Sequence, residues 1–314
     1  MQMQGQLSLR ELCGHSGISR ASYYRRWKSG KPKEEQMALR DRLQGLALKY
    51  RYYGYRPITK LLKREGWVVN HKRVLRMMRE DNLLSLRRKK FVVTTQSDLN
   101  RQVYPNLARR MKVSGRDQLW VADITYIRLK AEFIYLAVIL DVYSRRVIGW
   151  SLGRNLGSDL AQQALEKAVQ RRQPPPGLIH HSDRGWQYAS NDYIALLEKY
   201  GVEVSMSRPG NPWDNAFAES FMKTLKTEEV DGRRYRNLED ASKSVETFIE
   251  EFYNQERLHS ALGYRSPVEF EASLQVSTVG ELGMFDIAKA RERGLLPPSL
   301  ALPSPAQNKN NRVI

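Results

Sequence analysis

The apolar positions of this chain follow two different periods. Over the first 90 residues they recur at helical spacing, and from about residue 120 they alternate or run together as strands do. Ser8-Leu9-Arg10-Glu11 has the form of a capping box at a helix start. Gly14 to Gly17 reads as a turn, and Ser19 caps a second short helix through Ser22, Tyr23, Tyr24 and Trp27. Two short helices about a glycine-containing turn suggest a helix-turn-helix. Gly30 to Lys33 reads as a linker, and a longer helix follows with Met37, Leu39, Leu43, Leu46 and Leu48 as its apolar positions. Pro57 suits the first turn of the next helix, whose inner face is Ile58, Leu61 and Leu62, and Gly66 closes it. Asn70 caps a further helix, with Val74, Leu75, Met77 and Met78 inward and Arg73, Arg76 and Arg79 outward.

The second regime predicts three strands in quick succession, an antiparallel meander: Trp120 to Leu129, Phe133 to Val142 and Arg146 to Leu152. A helix over Ser158 to Arg171 is followed by a short strand, Gly177 to His181, then a helix over Asn191 to Tyr200 and a strand over Val202 to Met206. Helices over about 215–227 and over Leu238 to Phe252 complete the pattern. This order is that of an α/β fold.

Charge separates the same two regimes. The 314 residues carry 52 Lys+Arg against 34 Asp+Glu, a net charge of +18. Residues 1–112 carry a balance of +19 and residues 113–314 a balance of −1. A basic block joined to a neutral block fits a nucleic-acid binder with a separate working domain. Arg87, Arg88, Lys89 and Lys90 form a run of four cations suited to phosphates. The single cysteine, Cys13, excludes an internal disulfide and any zinc site that needs two cysteines. The longest apolar run, Phe133 to Leu140, is too short to cross a bilayer, and residues 1–12 hold no stretch of signal-peptide type. The expectation is a cytoplasmic, nucleoid-associated protein without a membrane partner.

Three carboxylates stand out. Asp123 lies inside the β-branched run Val121 to Ile127, where a buried, unpaired acid is costly. Asp183 ends a short strand before Arg184-Gly185, the position where α/β sheets place functional groups. Glu219 shares a helix stripe with Asn215, Lys223 and Lys226, while Phe217, Phe221 and Leu225 form the packing face. Singly, each acid is as well explained by an edge strand, an Asx turn or a solvated helix face. Together they are three hard oxygen donors suited to Mg²⁺ or Mn²⁺. Two such ions about 3.5–4 Å apart would clamp an in-line phosphoryl displacement.

At these residues the chain resembles the DDE transposases of bacterial insertion sequences, specifically the second-frame product of the insertion-sequence-three family, with a retroviral-integrase-like core. The resemblance covers about residues 5–272 and rests on four segments: Trp120 to Thr125, His181 to Tyr188, Asp214 to Phe221 and Tyr253 to Tyr264. It rests also on the 35 residues between Asp183 and Glu219 and on Lys226 seven residues further on. It implies an RNase H-like core, a five-stranded mixed sheet with flanking helices, preceded by an all-α helix-turn-helix-type region. It implies Asp123, Asp183 and Glu219 as catalytic metal ligands holding two Mg²⁺ or Mn²⁺ ions, in a reaction that cleaves element ends and joins them to new DNA. Lys226, Lys223, Arg184 and Arg87 to Lys90 are then the expected DNA contacts. Partners implied are double-stranded element ends and target, a second copy of the chain in the synaptic complex, and an upstream-frame fusion partner.

The expected domains are a helix-turn-helix-like segment at 1–30, a basic helical DNA-binding domain at 31–90, a linker at 91–115, a catalytic core with a C-terminal helix at 116–272 and an extension at 273–314, disordered at least at its end. Asp141 reads as structural. His181 has a minor claim as a ligand and reads rather as support for the loop. Trp186 and Tyr188 are candidates for stacking on a frayed base, with Trp186 equally suited to the core. Arg257 and His259 either touch a phosphate or pack the last helix. The alternatives are an RNase H-like nuclease that cuts without joining and an inactive relic that only binds DNA. The three intact acids oppose the second, and separate DNA-binding helices with Lys226 oppose the first.

Overall fold

The computed structural model describes residues 8–27, 34–85, 103–208 and 211–274. The linker at Gly30 to Lys33, the cations Arg87, Arg88, Lys89 and Lys90, residues 91–102 and residues 275–314 lie outside the described residues. The chain divides into two compact units, Met1–Val93 and Thr94–Ile314. No described helix is long and apolar enough to cross a membrane.

The first unit is helical: α1 (Leu9–His15), α2 (Arg20–Trp27), α3 (Glu34–Lys49), α4 (Tyr55–Arg64) and α5 (His71–Glu80). The capping box forms as its residues dictate: Ser8 N–H donates to Glu11 at 2.8 Å and Glu11 N–H donates to Ser8 Oγ at 3.4 Å. Asn70 caps α5 by accepting from the Lys72 amide at 2.9 Å. Leu43 of α3, Ile58 and Leu62 of α4, and Val74 and Met78 of α5 are wholly buried. Met37 and Leu48 are not core residues; both are more than half exposed. The inward stripe of α3 is Leu39, Leu43 and Leu46, and at 100° per residue Met37 and Leu48 fall on the opposite side.

The second unit is built on one sheet: β1 (Leu119–Arg128), β2 (Phe133–Asp141), β3 (Val147–Gly153), β4 (Ile179–Ser182) and β5 (Glu203–Met206), in spatial order β3-β2-β1-β4-β5. β1, β2 and β3 form the antiparallel meander, and β4 and β5 run parallel to β1. The helices are α6 (Ser158–Arg172), α7 (Asn191–Lys199), α8 (Ala216–Leu225) and α9 (Leu238–Glu246). The period of two sorts the side chains between them. Trp120, Ala122, Ala137 and Ile139 pack with Leu160, Leu165, Tyr193 and Leu197 of α6 and α7. Leu119, Val121, Leu136 and Val138 pack with Phe221 and Leu225 of α8 and Val245 of α9. From Leu136 onward β2 is buried on both faces, as its continuous apolar run suggests.

Two expected helices are wound differently from their sequence pattern. A 3₁₀ turn at Pro212–Asn215 precedes α8, and a π-wound turn at Lys226–Val230 follows it. A π-wound segment at Thr247–Glu256 likewise follows α9.

Four contacts close the fold. Gly149 lets α6 press on β3, since a Cβ there would collide with the Ala164 carbonyl oxygen. Asn254 completes the edge strand β3: its carboxamide accepts from the Val147 amide and donates to the Val147 carbonyl, each at 3.0 Å. Glu271, on the last described helical turns, is buried against Arg146 at 2.7 Å and against Arg172. Asp141, wholly buried, accepts from the Asp117 and Ser144 amides and the Ser144 hydroxyl at 3.1, 2.9 and 2.7 Å. Those bonds hold the turn between β2 and β3.

Candidate active site

Strand parity brings the first two acids together. β1 and β4 pair in parallel as Leu119 with Ile179, Trp120 with His180 and Val121 with His181. Continuing that register by two residues sets Asp183 level with Asp123. Asp123 shares parity with Leu119 and Val121, whose side chains face α8. Glu219 lies on the first turns of that helix. A clamp fixes α8 beside the strand: the buried Asn215 carboxamide donates to the Ala122 carbonyl at 3.0 Å. Asn215 is therefore an anchor at the helix entrance, and it does not share an outward stripe with Glu219 and Lys223, which are both exposed. The 3₁₀ turn ahead of α8 breaks the helical phase on which that stripe depended.

The approach to α8 is held by a second device. Arg208 donates its backbone amide and two guanidinium nitrogens to Asp214, each at 3.0 Å. Those hydrogen bonds hold the Asp214 carboxyl well below the usual carboxylate range. On the other side, Gly185 N–H donates to Asp183 Oδ1 at 2.9 Å. A Cβ on Gly185 would lie 2.9 Å from Asp183 Oδ1 and 2.9 Å from Gln187 Oε1, so the residue after Arg184 must be small for the chain to wrap the carboxylate.

The electrostatics put Asp123 under the influence of the other two acids. Burial, followed by the charges of Asp183 and Glu219, pushes Asp123 up to about 8; the Ile124 amide at 2.9 Å and the Lys226 charge oppose this. Burial raises Asp183 against the Gly185 hydrogen bond, and burial raises Glu219. Burial lowers Lys226, with Asp123 pulling the other way. Crowded acids that resist ionisation, drawn from hard oxygen donors alone, fit a divalent cation by charge and by donor chemistry. Among the described residues, no three His, Cys, Asp or Glu side chains are already gathered closely enough to hold an ion.

The other expected residues sort plainly. Both ring nitrogens of the buried His181 are engaged, by Ser205 Oγ at 2.8 Å and Ser207 Oγ at 3.0 Å, and burial lowers its pKa to about 4. That leaves it no lone pair for a metal and makes it a brace between β4 and β5. Arg184 donates Nε to the Ser207 carbonyl at 2.8 Å. Tyr188 is a core residue, 3% exposed, and cannot stack on a base; Trp186 is 38% exposed. Arg257 forks onto Glu228 at 3.0 and 2.7 Å, and the His259 ring lies edge to face on Tyr253 at 5.0 Å, so both pack the end of the fold. Sequence reasoning missed Tyr126, whose ring lies 4.5 Å beneath Lys226 Nζ, because an aromatic in a strand reads as ordinary β-propensity.

Comparison with known proteins agrees with this architecture. Two integrase core domain models match residues 114–212 and 200–267, and an HTH-like domain model matches residues 34–91. The insertion element IS600 uncharacterized 31 kDa protein of Shigella sonnei is 37% identical over 82% of this chain and 97% of its own length. The transposase for insertion sequence element IS904 of Lactococcus lactis is 38% identical over 70% of this chain and 87% of its own. Transposase InsF for insertion sequence IS3A of Escherichia coli K12 is 33% identical over 85% and 95%. Superposition on solved structures is loose: the BIV integrase catalytic core domain gives a TM-score of 0.38 at 18% identity, over 52% of this chain and 98% of that one. Identity sustained along nearly the whole length of these relatives, with an integrase core behind an HTH-like domain, places the chain in the IS3 family of insertion-sequence transposases, polynucleotidyl transferases that act on DNA.

Proposed function

We propose that Asp123, Asp183 and Glu219 are the catalytic acids of this transposase and together hold two Mg²⁺ or Mn²⁺ ions. The observation that carries this is the placement of Asp123 level with Asp183 in the extended β1–β4 register and opposite α8, where burial, and then the charges of Asp183 and Glu219, drive it up to about 8. When bound, the ion pair supplies charge neutralisation at the attacking and leaving oxygens of an in-line phosphodiester displacement. Asp123 presents its carboxylate from β1, and Asp183 presents its own from the first residue after β4. The Asn215 clamp sets the distance at which Glu219 faces them. Lys226 Nζ contacts a phosphate beside the acids, and Lys223 and Arg184 contribute further phosphate contacts. The basic helical unit binds the double-stranded element ends, and a second copy of the chain brings the other end, so the working form is at least a dimer. The site of action is the bacterial cytoplasm, where the DNA is.

The test is a joining assay with the element's own terminal duplex. Asp123→Ala, Asp183→Ala and Glu219→Ala each abolish cleavage and joining while duplex binding stays within about 3-fold of wild type. A chelator stops the reaction, and Mg²⁺ or Mn²⁺ restores it. An Asp183→Ala protein that still joins a 3′-hydroxyl end to target DNA overturns the assignment.

A further inference from the structure

The geometry points to a base-stacking platform at the open end of β1, formed by Tyr126 with Phe133 behind it and rimmed by Lys226 and Arg128. The inference rests on the catalytic assignment above for its position, and names what the chain does with the DNA next to the reacting phosphate.

The platform follows from a mismatch in strand length. β1 has ten residues and β4 has four, so the parallel ladder ends at Val121 and the rest of β1 runs past its neighbour. β2 still pairs with that overhang, with Tyr126 opposite Tyr135 and Arg128 opposite Phe133. Tyr126, Arg128, Phe133 and Tyr135 therefore share one sheet face, the one opposite Asp123; Lys226, which feels the charge of Asp123, also reaches the Tyr126 ring and so joins the two faces at the open end of β1. Helices α6 and α7 cover that face at Trp120 and Ala122. Further along, Tyr126 is 43% exposed and Phe133 50% exposed. Their rings meet edge to face at 5.6 Å, a packing that stiffens both.

Two large aromatic rings thus stand together, half exposed, at the open end of the sheet. Charge identifies the occupant. Lys226 Nζ stands 4.5 Å from the centre of the Tyr126 ring, and the same ammonium feels the charge of Asp123. Arg128 stands exposed on the platform's own face, opposite Phe133 in the ladder. Aromatic rings interleaved with cations suit a nucleic acid strand, whose bases stack while its phosphates pair. Bases inside a duplex have both faces covered by their neighbours, so an exposed ring selects a base that has left the stack. At an active site that cuts and joins DNA ends, that base belongs to the unpaired or frayed nucleotides flanking the scissile phosphate.

The test uses the full chain, without divalent cation, and two probes: a blunt terminal duplex, and the same duplex with a three-nucleotide overhang carrying 2-aminopurine. Wild type quenches the 2-aminopurine and binds the overhang probe more tightly than the blunt one. Tyr126→Leu loses the quench and binds the overhang probe roughly 5- to 150-fold more weakly, the range for one base stacked on an aromatic ring. Its binding to the blunt probe changes less than about 2-fold. Tyr126→Trp restores the quench, and Phe133→Leu gives an intermediate loss. Tyr126→Leu quenching like wild type overturns the platform, as does equal weakening on both probes, which marks a phosphate or folding effect. Joining is measured in parallel: Asp183→Ala that quenches fully and joins nothing supports both readings. Asp183→Ala that still joins, beside a Tyr126→Leu protein that has lost its quench, sinks the catalytic assignment and leaves the platform standing.

Discussion

The two halves of β1 are made of similar residues and do different work. From Leu119 to Val121 the strand has a partner on each side and helices on each face, and these residues and Ala122 are buried. From Asp123 to Arg128 it keeps β2 and loses β4, and the burial falters at once. The acids, Lys226 and the exposed rings all gather at that transition. On the proposed assignment, the fully paired half gives the positional precision and the unpaired half gives DNA a way in. The length of β4, as much as any acidic residue, would then decide where chemistry can happen.

Changes in the closed half should cost stability first. Glu271→Ala leaves Arg172, itself 7% exposed, facing Asp117 and Asp141 without its main partner. Removing one member of such a buried ion pair costs about 3–5 kcal/mol. Chemical denaturation should show that loss, and joining by the fraction still folded should stay near wild type. An unchanged midpoint would mean that the last helical turns are not part of the closed core.

Changes at the transition should do the reverse. Asn215→Ala removes one hydrogen bond to the Ala122 carbonyl, worth about 1 kcal/mol of stability. The same change frees α8 to drift, and a misplacement of about 1 Å can cost on the order of 100-fold in rate. Joining should therefore fall far more than the melting temperature does. A proportionate loss of both would show that the clamp is merely structural.

The closed half should also carry a pH dependence. Burial pushes His180 down to about 3, and burial with the Arg257 and Arg145 charges pushes His259 down to about 3. Both are folded as neutral rings, and an unfolded histidine titrates near 6.5. Their folded pKa values lie below the unfolded one, so this stability is fully present above about pH 6.5 and is lost as pH falls from there toward 3. Thermal melts at pH 7 and pH 5 should differ, and His259→Gln should shrink the difference. A melting temperature flat over that window would contradict the neutral buried rings.

Much of this was legible in the residues. The apolar run of β2 announces a doubly buried strand, and Asp123 inside a β-branched run signals an acid in need of compensation. Other features depend on tertiary neighbours that no periodicity records. Tyr188 looks like a stacking residue in its motif, yet the wrap around Gly185 turns it into the core with Tyr193 at 5.5 Å. Asn215 seems to join an outward stripe, and only the 3₁₀ turn before α8 swings it onto β1. His181 is spent on two serines of the distant β5 segment. Tyr126 escaped notice because its exposure follows from where a different strand stops.

The central claim is that three acids far apart in sequence share one cation site. Fe²⁺ in place of Mg²⁺, with ascorbate and peroxide, generates hydroxyl radicals that cut the backbone close to the bound metal. In the full chain bound to its terminal duplex, cuts should cluster near residues 123, 183 and 219, and Asp183→Ala should abolish all three clusters together. Cuts near 123 and 219 that persist at full strength in Asp183→Ala would show that the acids do not hold a common metal.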